Sequence, residues 1–168
     1  MIDKIKGRIW KLGDNIDTDV IYPGKYLPII DAEEMAKHAL EGVDKGFPKR
    51  INKGDIIVAG RNFGCGSSRE QAATSLRYAG ISCVIAKSFS RIFFRNAINQ
   101  GLALVESSNL LENIKEGDII TIDFSSGQIT TKDKAFSFPP LPEFVMGILG
   151  DGGLIEHTKK VLKENKRV

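Results

Sequence analysis

Apolar and polar residues alternate loosely through Ile5-Lys6-Gly7-Arg8-Ile9-Trp10-Lys11-Leu12, a period of two that predicts a half-buried strand over residues 5–12. Three shorter runs, at 55–59, 81–86 and 102–106, are almost continuously apolar. Runs of that kind suit strands covered on both faces. Between them the period changes. Residues 69–79 read as a helix that Gly80 terminates, as a C′ glycine does. Residues 88–99 place Phe89, Ile92, Phe93 and Ala97 on one helical face, a stripe expected in the core, and Gly101 closes the segment. Strand, helix, strand, helix, strand at this spacing predicts parallel pairing through right-handed crossovers.

Outside this block the pattern is less regular. Asp31-Ala32-Glu33-Glu34 opens a helix with Asp31 as its N-cap and Met35, Ala36, Ala39 and Leu40 as its apolar face. Gly42 and Gly46-Phe47-Pro48 end it. In Asn15-Ile16-Asp17-Thr18-Asp19-Val20-Ile21 the two acids alternate, so on a strand they share one face; an Asx turn is the other reading. The last third predicts an antiparallel meander at 119–124, 128–131 and 135–138, then helices at 141–149 and 152–164. The expected class is α/β: one domain over residues 1–168, with a parallel-strand core, a small antiparallel β portion and C-terminal helices.

Composition narrows the function classes. Hydrophobic residues make up 42% and charged residues 27%, the balance of a soluble globular chain. A net charge of +3, scattered along the sequence, does not make the basic stripe that nucleic acid needs. No run approaches the roughly 20 apolar residues that span a bilayer, and the charged start Met1-Ile2-Asp3-Lys4-Ile5-Lys6 does not read as a signal peptide. The basic run 159–167 reads as a solvated helix end. Cys65 and Cys83 are the only cysteines, too few for the four thiolates usual in an iron–sulfur cluster. His38 and His157 stand far apart without ligand spacing and read as surface helix residues. A cytoplasmic protein with no metal site of its own is expected.

The candidate chemistry lies in Gly64-Cys65-Gly66-Ser67-Ser68-Arg69-Glu70, between the strand at 55–59 and the helix at 69–79. Two glycines permit a sharp turn and close backbone approach. Ser67 and Glu70 have capping-box spacing. Two hydroxyls and a guanidinium therefore gather where helix N–H groups converge, which suits a carboxylate or phosphate. A capped helix after a glycine turn, without a ligand, is the plainer reading. A stand-alone phosphate-binding domain is a further one, although the loop lacks the Gly-Lys-Ser/Thr ending of a P-loop.

Three segments in order, Asn15 to Ile21, Arg61 to Glu70 and Ser88-Phe89-Ser90-Arg91-Ile92-Phe93-Phe94-Arg95-Asn96, resemble the swivel domain of the aconitase superfamily. As a free chain of this length it is similar to the small-subunit family of 3-isopropylmalate dehydratase and archaeal-type homoaconitase. The resemblance implies a swivelling β/β/α domain and a hydro-lyase that acts only together with a large subunit, as a heterodimer or heterotetramer. The large subunit would carry the [4Fe–4S] cluster, and this chain would bind no cofactor. The implied reaction is reversible dehydration and rehydration of a malate-type acid, in the leucine-pathway branch the isomerisation of 2- and 3-isopropylmalate. Neither nucleic acid nor membrane is an expected partner.

Residue by residue, the resemblance assigns Ser67 as the base, as an alkoxide, and Ser68 and Arg69 to the substrate carboxylate. Asp17, Asp19, Gly64, Cys65 and Gly66 support the site, with Cys65 as a small packing residue; Cys83 belongs to the core. Arg91 and Arg95, one helical turn apart, are open between a substrate or partner contact and structural ion pairs. Tyr26, Leu27, Pro28 and Ile29 match the family's specificity loop. Homoaconitase-type relatives carry an arginine there for a third carboxylate. Residues 23–30 contain none, so an isopropyl group is favoured and a methyl-substituted malate stays open. Lys25 is the cation that could still reach an anion.

Overall fold

The computed structural model describes residues 3–165. β1 (Lys4–Lys11) is followed by α1 (Thr18–Ile21), a 3₁₀ turn at Gly24–Tyr26 and α2 (Ala32–Ala36). The α/β block comes next: β2 (Ile56–Ala59), α3 (Glu70–Ala79), β3 (Cys83–Ala86), α4 (Arg91–Asn99) and β4 (Ala103–Glu106). The meander β5 (Ile119–Asp123), β6 (Gln128–Thr130) and β7 (Ala135–Ser137) precedes α5 (Glu143–Gly150) and α6 (Leu154–Asn165).

All seven strands form one sheet in the order β4-β3-β2-β1-β5-β6-β7. β1 is the seam. Its first half runs antiparallel to β5, from Lys4 opposite Asp123 to Arg8 opposite Ile119. Its second half runs parallel to β2, with Ile9, Trp10 and Lys11 opposite Ile56, Ile57 and Val58. The meander therefore continues the parallel sheet. Asp55 secures the parallel side: its Oδ2 accepts from Arg8 Nη2 at 2.8 Å, Trp10 Nε1 at 2.8 Å and the Asn52 amide at 2.9 Å.

Side-chain alternation divides the strands between two cores. Ile57, Ala59, Val84 and Leu104 face one cluster, which Leu76 of α3, Phe93 of α4 and Met35 of α2 complete. Ile56, Val58, Ile85 and Val105 face the other, which Ile148 and Leu149 of α5 and Ile122 of β5 close. Each parallel strand is covered on both sides, which is why its sequence is an unbroken apolar run.

Three expectations change. The helix opened by Asp31 stops at Ala36, well before Gly42; Leu40 then adopts φ +62° and buries its side chain in a following turn. On α4, Phe93, Ala97 and Ile98 are buried while Ile92 is half exposed, so the core stripe lies one position further round than Phe89, Ile92, Phe93 and Ala97 suggested. Both histidines are only about a fifth exposed and are paired, His38 with Glu41 and His157 with Asp151.

Candidate active site

The loops after β1, β2 and β3 leave the carboxyl ends of parallel strands, the edge where open α/β sheets bind ligands. They are joined by backbone hydrogen bonds. The Asn15 amide donates to the Arg61 carbonyl at 2.8 Å, Gly64 N–H to Ile16 at 2.7 Å and Thr18 N–H to Cys65 at 2.8 Å. On the other side Phe63 N–H reaches Ser88 and Ser90 N–H reaches Phe63, both at 3.0 Å. The Gly64–Cys65 stretch is thus clamped between its two neighbours. Gly64 has φ +76°, and a Cβ there would lie 2.1 Å from the Phe93 ring, so no other residue fits without displacing α4.

Residues 15–21 do not form a strand that displays Asp17 and Asp19 on one face. After a single bridge to Cys65 the chain turns into α1. Asp17 becomes its N-cap, accepting from the Asp19 and Val20 amides at 2.8 Å each. That is the Asx-type role, and it points Asp17 back at its own backbone. Asp19 points the other way. Its Oδ1 accepts from Arg69 Nη1 at 2.6 Å and from the Gly24 amide at 2.8 Å. The Arg69 guanidinium and the Gly24 amide hold the Asp19 carboxyl below its ordinary range.

The capping box is not made. α3 begins at Glu70 with Arg69 at the N-cap, and no side chain caps it. Glu70 instead binds Gln100 of the neighbouring helix. The first-turn N–H groups of α3 are left without a side-chain acceptor, which is the condition for an anion site at a helix start. Ser67 and Ser68 are exposed beside it. The buried Thr18 hydroxyl donates to the Ser67 carbonyl at 2.8 Å and lies 3.5 Å from the Ser67 hydroxyl. Ser67 is therefore an exposed residue held through its backbone, with its hydroxyl at the edge of hydrogen-bonding reach of Thr18.

Arg69 is held by one nitrogen. Nη1 donates to Asp19 and, at 3.1 Å, to the Tyr22 carbonyl. Both Nη1 hydrogens are thereby used, while Nε and Nη2 make no hydrogen bond among the described residues and form the kind of two-donor edge that can pair with a carboxylate. Thr18, the Tyr22 carbonyl and Gly24 are site elements that the sequence reading did not single out. Their signal was their place in the same Asn15 to Ile21 motif or just beyond it.

After α1 the chain passes Arg69 at Tyr22 and Gly24 and then reaches residues 26–29. Tyr26 is committed inward, Leu27 and Pro28 are exposed, and Ile29 is half-buried against the core. Ile29 and the exposed Ile30 line a cleft of about 350 Å³ with Glu70 and Gln71 of α3 and Ile155 of α6. Lys25 lies over the Tyr26 ring, 4.8 Å from its centre. Arg91 and Arg95 flank a different cavity of about 420 Å³ with Phe89, Phe94 and Phe144. Neither forms an ion pair among the described residues.

The two cysteines do not make a cluster site: Cys65 is half-buried in the loop, whereas Cys83 is fully buried in β3, where burial raises its thiol pKa. Among the described residues no three His, Cys, Asp or Glu side chains are grouped to hold a metal ion. No helix among them is long and apolar enough to cross a membrane.

The structure is a mixed α/β sheet with a serine pair and a guanidinium at an uncapped helix start, at the carboxyl ends of its parallel strands, an arrangement whose charge and free N–H groups suit an anion. More specifically, the chain belongs to the Aconitase C-terminal domain family, whose pattern matches residues 14–110 and so spans every loop of this site. It is 53% identical to the 3-isopropylmalate dehydratase small subunit of Thermodesulfovibrio yellowstonii over 161 residues, covering 95% of this chain and 96% of that one. It is 50% identical to the isopropylmalate/citramalate isomerase small subunit of Methanocaldococcus jannaschii over 164 residues, covering 96% and 98%. The crystal structure of 3-isopropylmalate dehydratase from Methanocaldococcus jannaschii superposes with a TM-score of 0.91 at 47% identity, covering 98% of this chain and 99% of that chain.

Proposed function

We propose that this chain is the small subunit of a hydro-lyase that isomerises 2- and 3-isopropylmalate, working with a large subunit. The names of relatives about half identical over nearly the whole chain support that reading. The observation that carries the chemistry is the arrangement at the start of α3: an exposed Ser67 hydroxyl beside first-turn N–H groups without a side-chain cap, with the Arg69 fork adjacent.

The reaction removes a proton from a carbon next to a carboxylate, a weak acid. Ser67, as its alkoxide, takes that proton onto Oγ. The N–H dipoles of α3 and the Arg69 charge stabilise the anion, and they act most strongly once water is excluded. Arg69 receives the substrate carboxylate on its Nε–Nη2 edge while Asp19 and the Tyr22 carbonyl fix Nη1. Ser68 donates to the same carboxylate. As the proton leaves, the C–O bond on the neighbouring carbon breaks, the hydroxyl departs and becomes water with a proton from solvent, and an alkene forms. Water then adds back as hydroxide with the two positions exchanged, releasing that proton to solvent, and Ser67 returns its own proton to the other carbon. A [4Fe–4S] cluster on the large subunit would supply Lewis acidity to the departing hydroxyl.

The arginine-free loop with Leu27, Pro28 and Ile29 supports an aliphatic substituent over a third carboxylate, which would be buried without a partner. The Methanocaldococcus relative's name adds a methyl-substituted malate as the second reading. The test is Ser67→Ala, assembled with a cluster-loaded large subunit. Turnover should fall by about 10²–10⁴-fold or more while assembly is kept. A variant within a few-fold of the wild type would put the base elsewhere.

A further inference from the structure

The specificity loop is gripped from behind by a group of side chains that take no part in the chemistry above. Tyr26 is the centre. Its hydroxyl donates to Glu41 Oε2 at 2.6 Å. Its ring stacks on His38, with centroids 3.6 Å apart and planes 16° apart. The other oxygen of Glu41, Oε1, lies 3.0 Å from His38 Nδ1, so one carboxylate holds both stacked rings. The buried Tyr22 hydroxyl donates to the Tyr26 carbonyl at 2.9 Å. Glu41 and His38 are both mostly buried, at 16% and 23% side-chain exposure. Burial alone would raise the Glu41 carboxyl. The hydrogen bonds from Tyr26 and His38, with the charge of Lys25, outweigh it and leave the carboxyl lowered and ionised.

Three backbone hydrogen bonds make the loop a defined shape: Tyr26 N–H to Pro23 at 3.0 Å, Leu27 N–H to Gly24 at 3.1 Å and Ile29 N–H to Tyr26 at 2.9 Å. Each one involves the backbone of Tyr26 or of a residue within three positions of it. Gly24, at the head of the same turn, also donates to the Asp19 carboxylate that fixes Arg69. A shift of Tyr26 would therefore move the apolar wall at 27–29 relative to the carboxylate fork.

We infer that Glu41 is a positioning residue for substrate selection: by clasping Tyr26 and His38 it sets the distance between the wall at Leu27–Ile29 and Arg69. This rests on the function proposed above. Selectivity between an isopropyl and a methyl substituent depends on how closely that wall approaches the variable group. A methylene gained or lost in such a pocket changes discrimination by about 10–200-fold. None of Tyr26, His38 and Glu41 hydrogen-bonds to Ser67 among the described residues; Thr18 is the residue that contacts Ser67 there.

The experiment compares wild type, Glu41→Gln, Glu41→Leu, Tyr26→Phe and the Tyr26→Phe/Glu41→Leu pair. Amide hydrogen exchange of the free small chain is the first measurement. Glu41→Leu should speed exchange at Tyr26, Leu27 and Ile29 by about tenfold or more, the loss expected when a hydrogen bond to a buried charge is removed. Amides of α3 should not change. Kinetics of the complex with the large subunit are the second measurement. Glu41→Leu should raise KM for the isopropyl substrate by about tenfold, with kcat changed less than threefold. Its preference over the methyl substrate should fall. Glu41→Gln, which keeps an acceptor for Tyr26, should recover most of the loss. The double variant should be little worse than Glu41→Leu, because the two groups act as one unit. Unchanged exchange at residues 26–29, or an equal fall in kcat for both substrates, would overturn the inference. A wild-type complex that turns over neither substrate would instead overturn the proposed function, and the exchange data would still decide whether the clasp holds the loop.

Discussion

Arg69 shows why identity at a single residue matters more than charge. Both hydrogens of Nη1 are taken by Asp19 and the Tyr22 carbonyl, so in the proposed function the substrate carboxylate would be met by the remaining Nε–Nη2 edge. A lysine has one nitrogen and cannot hold Asp19, the carbonyl and a bidentate carboxylate together. Arg69→Lys should therefore lower kcat/KM of the complex by about 10²-fold, the scale of a misplacement of about 1 Å at a reacting centre. Near-normal kinetics would reduce Arg69 to a charge at the start of α3. The residue types at 64–69 suggested an anion site but left a ligand-free capped helix equally open, and it was the resemblance across three ordered motifs that assigned them roles. Their partners were not legible in the sequence. Asp19 meets Arg69 across fifty positions of chain, and nothing local to Asp19 indicates which of the two acids turns toward it.

At the scale of elements, the junction of β1 and β2 is the point most open to measurement. Asp55 is buried, with its side chain 5% exposed, and holds Arg8 and Trp10 of β1 against the start of β2. Burial pushes its carboxyl up, but Arg8, the Asn52 amide and Trp10 outweigh that and hold it below the ordinary carboxylate range. Asp55→Ala should cost about 3 kcal/mol, the low end for a broken buried pair, since Arg8 reaches solvent. Urea denaturation should show a lower midpoint with an unchanged slope. The sign of the pH dependence follows from the lowered pKa. The Asp55 contribution is fully present above about pH 4 and is lost as pH falls through the lowered folded value. Asp55→Asn should therefore flatten the acid limb of the stability curve, and an unaltered acid limb would remove Asp55 from the account. Elements built from local pattern were legible: β2, β3, β4, α3 and α4 fall within a few residues of their expected limits. Starts that depend on competing partners were not. Glu70 has the spacing to cap α3 with Ser67, yet it binds Gln100, and the N-cap falls at Arg69, two positions beyond Ser67.

For the whole molecule the expectation is incompleteness. The isolated small chain should be colourless and inactive, and anaerobic mixing with a cluster-loaded large subunit should restore hydration of the unsaturated intermediate. Turnover by the small chain alone would refute the division of labour proposed here. The sequence by itself determined the class of fold, the parallel βαβαβ block, the antiparallel meander, the family and the motif at 64–70. Each of these is written in side-chain type, in a period of two or 3.6 residues, or in a short ordered motif, and needs no knowledge of distant neighbours. Only the tertiary structure decided that the meander joins the parallel block as one sheet, because β1 divides its two edges between β5 and β2. It alone separated Asp17 from Asp19, left Ser67 free of the cap it could have made, and closed Glu41 over Tyr26 and His38. Those pairings link residues up to fifty positions apart, and a hydrogen bond forms only where the folded backbone brings donor and acceptor within about 3 Å. Local propensity carries no information about that distance.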